Sequence, residues 1–401
     1  MLETVRNAFK LKEIRSRIIY TLLMLVVVRI GTQLPVPGVN GSYFSEWFSG
    51  NSGSAFGFFD AITGGSFEKM SVFALNITPY ITSSIIIQLL TIAIPKLEEL
   101  QKDGEEGRKK MTAITRYLTV ALALMESLAM AIGFGRSGLL IKFNALNVIT
   151  AVVTLTAGST VIMWIGERIT ENGVGNGISI VLTINIISRI PQDLTLLFEQ
   201  FVKGKEIAFQ VLNLAIIIAI IIIVTVLTVA LQGAERRIPV QYSRKVQGRK
   251  QVGGQTSHIP LKVNTAGVIP IIFAQSLFMF PLIIMQLLGK SGGNGIGGTI
   301  LKMLNQSNWC DFNEPIYSIG LIVYIALVIA FAYFYTSITF NPLEIADNMK
   351  KQGGFIPGIR PGKPTSEYLT KILNYIIFIG AVGLVIVAVI PIFFEGAFNA
   401  S

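Results

Sequence analysis

Ala215–Val224 reads AIIIAIIIIV, ten consecutive residues without a polar side chain. This run lies inside a largely apolar stretch from Val211 to Leu231. A hydrocarbon core about 30 Å thick needs roughly 20 such residues when they form a helix. Strands of a membrane barrel would be about 10 residues long and would alternate in polarity, and this stretch does neither. It therefore predicts a helix that crosses a membrane.

The composition of the whole chain indicates several such helices. Its 401 residues are 52% hydrophobic and only 14% charged, whereas soluble domains carry about a quarter charged residues. We therefore predict an all-α polytopic membrane protein. Pro79 and Pro270 interrupt two of the expected spans, as in helices that line a cavity. Nine spans are expected, at roughly 18–35, 67–94, 111–133, 148–169, 178–198, 209–231, 262–288, 317–340 and 368–394.

The positive charge is unevenly distributed along a chain whose net charge is +10. Most Lys and Arg residues lie in the N-terminal segment 1–17 and in the loops after the second, sixth and eighth spans. By the positive-inside rule these parts face the cytoplasm. The N-terminus is then cytoplasmic, and after nine spans the end of the chain, 395–401, would be external. Two of the loops, 232–261 and 341–367, are longer than connection requires and are candidates for a working surface.

Several classes of function are disfavoured by residues that the sequence lacks. One cysteine, Cys310, excludes an internal disulfide, and one histidine, His258, excludes a metal site built from several histidines. The GxSxG, HExxH and phosphate-loop motifs are missing, so we expect no enzyme, metal or cofactor. The basic N-terminal segment is followed by an apolar run without a small-residue cleavage site. We therefore expect a retained first helix rather than a signal peptide.

The segment Asn51–Phe67, NSGSAFGFFDAITGGSF, is rich in glycine and phenylalanine and too short to span a bilayer. Two interpretations stay open for it. It is either an external loop on the membrane surface or a mobile element packed into the mouth of a cavity. In the second case its phenylalanines would make apolar contacts, and its glycines would supply close packing and hinges. The residues concerned are Phe56, Phe58, Phe59, Gly53, Gly57, Gly64 and Gly65.

Polar side chains occur at membrane depth, for example in Ile81–Leu90, ITSSIIIQLL. Such groups usually form hydrogen bonds with neighbouring helices. Glu126 is expected to face the bundle interior or water, because an unpaired carboxylate in lipid is unfavourable. The set comprises Asn76, Ser83, Ser84, Gln88, Glu126, Asn185 and Gln275.

The segment Gly166–Ser179 reads GERITENGVGNGIS, in which Gly173, Gly175 and Gly177 resemble a fragment of a dinucleotide-binding loop. No parallel-strand pattern precedes it, and an apolar helix follows. We favour a tight turn in which glycine permits close backbone approach. Asn176 is then expected to cap the fifth span.

The two long basic loops share an unusual composition. Glu235–Lys250 reads ERRIPVQYSRKVQGRK, and Gly353–Lys363 reads GGFIPGIRPGK. A basic run usually flanks a helix, and it could also bind anionic lipid or nucleic acid. Apolar and aromatic residues between the charges favour a shaped docking site. In the second loop, two Pro/Gly turns would present Arg360 rigidly.

These segments, taken together, resemble the SecY family of protein-conducting channels. The matching stretches are Ile81–Leu90, Gly166–Ser179, GAERRIPVQYSRKVQGRK followed by HIPLKVNTAGVIPIIFAQS, and FNPLEIADNMKKQGGFIPGIRPG. They occur in order, and the resemblance runs from about residue 6 to 396. It implies two inverted halves, 18–198 and 199–394, around a pathway for unfolded preproteins across the bacterial plasma membrane. The family has ten helices, so we expect the tenth to be missing here.

The resemblance also implies roles for particular residues. A plug at about 51–66 would close the external funnel and include Phe56, Gly57, Phe58, Phe59, Ala61 and Ile62. An apolar pore ring would consist of Ile81, Ile85, Leu182, Ile186 and Ile272. A lateral gate between spans two and three and spans seven and eight would include Ser84, Gln88, Glu126 and Gln275. The SecA motor ATPase or the ribosome would dock on Arg236, Arg237, Arg244, Lys245, Arg249, Lys250 and Arg360.

The implied partners are SecE, SecG, SecA, the ribosome, the signal sequence of the preprotein and membrane lipids, with no specific nucleic-acid site. Two other hypotheses remain. A secondary transporter of a small solute is suggested by the broken helices at Pro79 and Pro270. A membrane scaffold that recruits a cytoplasmic partner is suggested by the basic loops. Polar substitutions at Ile85 or Ile186 would leave a scaffold unaffected, whereas they would make a channel leak.

Overall fold

A computed structural model describes most of the chain, which is predominantly helical. The described residues are 10–49, 55–135, 138–204, 207–242, 245–247, 250–252, 256–287, 296–310 and 315–398. The chain divides into two compact units. The first contains Met1–Gln200 and Phe278–Ser307, and the second contains Phe201–Leu277 and Asn308–Ala400.

Fourteen helices occur in the described residues, besides two short 3-10 turns. They are α1 Lys12–Gly31, α2 Gly41–Ser49, α3 Ala55–Thr63, α4 Thr78–Ala93, α5 Pro95–Lys102, α6 Gly104–Gly133, α7 Ala145–Asn172, α8 Gly177–Phe201, α9 Ile207–Gly233, α10 Ile269–Leu287, α11 Ile296–Leu304, α12 Ile319–Thr339, α13 Pro342–Lys351 and α14 Lys363–Phe398. In the first unit α6 packs against α4 and α7, and α1 packs against α7. In the second unit α14 packs against α9, α12 and α13.

Among the described residues, six helices are long and apolar enough to cross a membrane. The number is seven if α4 and α5, which meet at a bend of 110°, form one broken span. The helix α9 contains the run Ala215–Val224. No residue in the most apolar stretch of this helix is buried inside the protein. Its side chains are therefore available to contact lipid. The prediction of a membrane-crossing helix at this run agrees with the structure.

Strands occur in both basic loops, and the sequence did not predict them. Strand β1, Glu235–Tyr242, pairs antiparallel with Thr256–Lys262, which is β4. A short strand from the second loop, Gly354–Phe355, pairs with the end of β1 and is β5. The sheet order is β4-β1-β5, and the segments Lys245–Gln247 and Lys250–Val252 form a separate pair, β2 and β3. Alternate residues of β1 are buried, as a half-buried strand requires.

The two prolines that were expected to interrupt spans instead begin helices. Pro79 is the second residue of α4, and Pro270 is the second residue of α10. Residues 67–77 lie mainly in turns, so the second predicted span becomes helical only at Thr78. Proline is favoured in a first helical turn because its fixed φ suits the helix and no N–H is needed there. The prediction of helices broken at these prolines was wrong.

The glycine-rich turn before α8 has the predicted form. The side-chain Oδ1 of Asn176 accepts hydrogen bonds from the backbone N–H groups of Ile178, at 3.1 Å, and Ser179, at 3.3 Å. A Cβ on Gly177 would overlap the carbonyl oxygen of Gly166, so only glycine permits this approach of α8 to α7. Both the cap and the close backbone approach are confirmed.

A similar close approach at Gly158 provides a test of the packing of α7. A Cβ there would overlap the backbone oxygen of Val72. We expect Gly158→Ala to destabilise the protein by about 1–3 kcal/mol, because overpacking displaces backbone. The measurement is the midpoint of thermal unfolding in detergent.

Gly233 at the end of α9 supplies the matched control, since a Cβ there meets nothing within 4 Å. Gly233→Ala should be neutral or stabilise by up to about 1 kcal/mol, because alanine is favoured over glycine in a helix. Equal midpoints for the two alanine variants would contradict the packing described for Gly158.

Candidate functional site

The short helix α3 packs into a cluster of aromatic rings in the first unit. The ring of Phe59 is buried and lies edge-to-face on Phe67, with 4.9 Å between centroids. Phe67 in turn lies 5.2 Å from Phe44, and Phe44 lies 5.1 Å from Phe134. Edge-to-face aromatic pairs add to the stabilisation that burial of their surface provides. Helix α3 is thus a packed element, and a loop lying on the membrane surface does not describe it.

A buried carboxylate also holds α3. The side chain of Asp60 is fully buried, and it forms an ion pair with Arg189 of α8. Its Oδ1 accepts a hydrogen bond of 2.8 Å from the backbone N–H of Glu68. Removing one partner from a buried ion pair is strongly destabilising, because the other charge is left uncompensated. The pair therefore links α3 to a long helix far away in the sequence.

The C-terminus of α3 ends in a Schellman motif at two glycines. The N–H of Gly65 bonds to the carbonyl of Asp60, and the N–H of Gly64 bonds to that of Ala61. Gly64 and Gly65 have φ values of +70° and +78°, which favour glycine. The carbonyl of Thr63 accepts from the side chains of Ser66, at 2.9 Å, and Asn76, at 3.2 Å. These glycines and hydrogen bonds fix where the helix stops.

The predicted plug residues are only partly covered by the structure. Phe59 is buried, and Ala61 and Ile62 are half-buried on α3. Phe56, Gly57 and Phe58 belong to the same helix, but their side chains lie outside the described residues. Gly53 lies outside the described residues altogether.

The predicted pore residues of the first unit lie one turn apart on two helices. Ile81 and Ile85 are on α4, and Leu182 and Ile186 are on α8. Ile81 and Leu182 pack against the same apolar cluster, which includes Val28, Ile162 and Val181. Ile85 is buried, whereas Ile186 is largely exposed. Ile272 is half-buried on α10 in the second unit.

The residues predicted for a lateral gate are polar groups on three helices. Gln88 donates to the hydroxyl of Ser84 one turn earlier on α4, at 3.4 Å. Glu126 is buried on α6, which confirms that it does not face lipid. Gln275 is buried on α10 in the second unit.

The two basic loops fold together in the second unit, and we call the result the platform. It comprises β1, β4, β5, α13 and the first turns of α14. Tyr242 of β1 pairs with Gly354 of β5, and Gln241 pairs with Phe355. A shared apolar core lies beneath these strands, formed by Ile238, Val240, Leu261, Met349, Ile356, Leu369, Ile372 and Ile376. Segments more than a hundred residues apart in the sequence are thereby joined in one packed body.

The basic side chains of the first loop differ in their surroundings. Arg236 and Arg237 of β1 are exposed, and Nε of Arg237 donates to Oε1 of Glu235 at 2.7 Å. Lys245 and Lys250 lie on β2 and β3, where only the backbone is described. Arg244 and Arg249 lie outside the described residues.

Arg360 is held at a defined position on the platform. Its carbonyl accepts a hydrogen bond of 2.8 Å from the hydroxyl of Thr365, which is itself fully buried. Gly358 and Gly362 on either side have φ values of +83° and +102°. The side chain is exposed, and no carboxylate in the described ranges pairs with it. Turns on both sides of Arg360 are therefore present, as predicted, and their rigidity stays a prediction.

Sequence reasoning missed the pair Asp60–Arg189. The available signals were a carboxylate in an otherwise apolar, aromatic segment and an arginine within an amphipathic apolar helix. Either residue taken alone suggests only a solvated charge, and nothing in the local pattern links them.

Known proteins are similar to this chain along nearly its whole length. A SecY family model matches residues 71–401. The SecY subunit of the protein translocase from Halalkalibacterium halodurans is 41% identical over 98% of this chain and 90% of its own length. The corresponding subunit from Bacillus subtilis is 40% identical over 98% of this chain and 89% of its own length.

Solved structures share the fold at lower sequence identity. A protein-conducting channel superposes with a TM-score of 0.61 at 20% identity, covering 96% of this chain and 86% of its own. A second structure is a SecY protein whose plug domain stabilises the closed state of its translocation channel. It superposes with a TM-score of 0.63 at 19% identity, covering 93% of this chain and 85% of its own. A chain of the yeast Ssh1 complex bound to the 80S ribosome superposes with a TM-score of 0.63 at 14% identity, covering 95% of this chain and 84% of its own.

The fold and the sequence relatives together define the class of this protein, which is a channel-forming subunit of a protein translocase and not an enzyme. The chain belongs to the SecY family. The predictions of a polytopic membrane protein and of this family are confirmed.

The shared core of the platform predicts that both loops lose order together. Leu369 is 0% exposed, whereas Leu343 on α13 is 61% exposed. Leu369→Ala should destabilise the platform by about 2–5 kcal/mol because it leaves a cavity. Trypsin should then cleave after Arg237 and after Lys351 at similarly increased rates, as identified by mass spectrometry of the fragments.

Leu343→Ala is the matched control and should leave both cleavage rates unchanged. If Leu369→Ala accelerated cleavage in only one of the two loops, the loops would not share a core.

Proposed function

We propose that this chain forms the central channel through which unfolded secretory preproteins cross the bacterial plasma membrane, and from which membrane proteins leave sideways into lipid. The observation that carries the proposal is the platform, in which two distant basic segments share one sheet and one core. A rigid, positively charged surface suits the docking of a large external machine. A transporter of small solutes has no need of one.

The platform is proposed to face the cytoplasm and to bind the SecA motor ATPase or the ribosome. The positive-inside rule puts both basic segments and the N-terminus on that side. Arg360 is the principal contact, because its rigid turn lowers the entropy lost on binding. Arg236 and Arg237 add exposed charge, and Arg244, Lys245, Arg249 and Lys250 are proposed to extend it. Ribosome binding by the structurally similar yeast complex supports this role.

The apolar residues Ile81, Ile85, Leu182, Ile186 and Ile272 are proposed to form the constriction of the channel. Aliphatic side chains are flexible and make no directional bonds, so they can close around a moving chain of any sequence. When no chain is present, a narrow apolar constriction resists ions because water leaves it. The joint packing of Ile81 and Leu182 against one cluster supports a common location for these two.

Helix α3, with its neighbouring residues 51–66, is proposed to act as the plug of this channel. Its burial among aromatic rings and its ion pair with α8 support a seated, closing element. In a structurally similar SecY protein the plug domain maintains a membrane seal. The polar residues Ser84, Gln88, Glu126 and Gln275 are proposed to line the lateral gate, through which apolar signal sequences partition into lipid. SecE and SecG are the proposed membrane partners.

Charge reversal at Arg360 tests the docking role. Arg360→Glu should reduce motor-driven export of a preprotein into reconstituted vesicles at least about tenfold, because a contact held rigidly in an interface behaves as a hot spot. The measurement is the amount of protease-protected preprotein per unit time.

Lys363→Glu is the control, because this exposed residue lies three positions further along the same segment and changes the charge equally. It should reduce export only slightly. Equal effects of the two substitutions would indicate a general attraction by charge and would remove the specific role of Arg360.

A polar substitution in the proposed constriction tests the channel. Ile186 and Ile187 of α8 are 47% and 51% exposed. They are consecutive residues of a helix, so their side chains point in different directions. Ile186→Asn should raise the resting ion conductance of vesicles several-fold, because a polar side chain wets the constriction. Ile187→Asn should leave the conductance unchanged. A solute transporter or a scaffold predicts no increase for either variant.

A further inference from the structure

The charged groups beside α3 are arranged unequally around one arginine. Arg189 pairs with Asp60 of α3 and, through Nε at 3.0 Å, with Asp193 on its own helix. The side chains of Asp60, Arg189 and Asp193 are 0%, 14% and 47% exposed. Two carboxylates therefore share one guanidinium, and only one of them belongs to the element proposed to move.

This sharing has a consequence for withdrawal of α3. Arg189 keeps Asp193 as a partner when Asp60 leaves, so the arginine is not stranded. Asp60 loses its partner and needs water, because an unpaired carboxylate is strongly unfavourable in hydrocarbon. Withdrawal is thus favoured toward an aqueous space and opposed toward lipid. Asp193 also repels Asp60 and competes with it for Arg189, which weakens the seated state.

Buried polar atoms near α3 disfavour its seated position, whereas the ion pair of Asp60 and Arg189 favours it. Both amide atoms of the fully buried Asn185 make no hydrogen bond within the described residues, and the same holds for the buried Nη1 of Arg29. Gly64, which follows α3, lies against the backbone of Asn185, and a Cβ on it would come within 3.1 Å of that Arg29 nitrogen. Burial of unpaired polar atoms is unfavourable. Water that enters when α3 leaves would satisfy them.

We infer that Asp60, Arg189, Asp193 and Asn185 form an electrostatic latch that sets how readily α3 leaves its position. Asp60 and Arg189 hold α3, while Asp193 and Asn185 favour its release. The aromatic contacts of Phe59 provide adhesion without a preferred direction of exit, and the latch supplies that direction. These are positioning residues, because they affect the passage of protein only indirectly, by holding or releasing α3. The inference rests on the proposed function of α3 as the plug.

Two substitutions of the same kind give opposite expected results. The measurement is the resting conductance of planar bilayers containing the assembled translocase. Asp60→Asn should raise it by about tenfold, because the seated position of α3 loses its ion pair while Arg189 keeps Asp193 as a partner. Asp193→Asn should lower it, because Asp60 then holds Arg189 alone and without repulsion. A merely structural role would move both variants in the same direction, and that result would overturn the latch.

A third variant guards against failure of Asp60→Asn to fold. Asn185→Leu has a similar shape and removes the two unpaired polar atoms, so it should lower the conductance below that of the unmodified protein. It should also partly reverse the leak of Asp60→Asn in the double variant. An unchanged or higher conductance of Asn185→Leu would overturn the opposing role of this residue. Asp103→Asn, in an exposed turn before α6, measures the background.

Deletion of residues 55–63 distinguishes a failure of the plug role of α3 from a failure of the latch. If the deletion leaves the conductance unchanged, α3 does not close the channel and the proposed function of α3 fails. If the deletion raises the conductance while Asp60→Asn does not, α3 closes the channel without a latch, and only the present inference fails.

Discussion

Backbone amides in hydrocarbon have no water to bond, and this constraint governs where every other feature of the molecule can lie. Each N–H and C=O at membrane depth must be paired inside the protein, and a helix achieves this within one segment. The helix α9 shows the result. It has apolar side chains on all sides, and no residue in its most apolar stretch is buried inside the protein. Strands, charged side chains and irregular turns are then confined to the ends of helices or to sites enclosed by protein.

Two such sites carry the distinctive chemistry of this chain. In the platform, basic residues lie on a sheet whose apolar core includes Leu369 of α14, so the sheet and this long helix are packed together. The second site is the buried ion pair of Asp60 and Arg189, which joins α3 to α8. A buried ion pair is weak evidence for stability, because desolvation offsets much of its attraction. In the proposed latch, its role is instead to control how readily α3 moves.

The sequence predicted some of these features and missed others for physical reasons. The run Ala215–Val224 predicts its helix because its composition permits no other structure in a membrane, and Asn176 predicts its cap because the interaction is local. The strand at Ile238 and Val240 was missed because charges and a proline obscure its alternation. Asp60 and Arg189 meet only through tertiary structure, which no local pattern encodes. The role of Pro79 depended on where its helix begins, and boundaries are the least certain part of such predictions.

A translocating polypeptide is proposed to pass through a ring of apolar side chains. The most direct measurement is cross-linking from single cysteines at Ile85, Ile186 and Ile272, in a chain whose only cysteine, Cys310, is replaced by serine. A preprotein halted during export should cross-link to all three positions and not to a cysteine at Ile221, which is exposed on α9. Cross-links at Ile221 that equal or exceed those at the three ring positions would contradict passage of the chain through this ring.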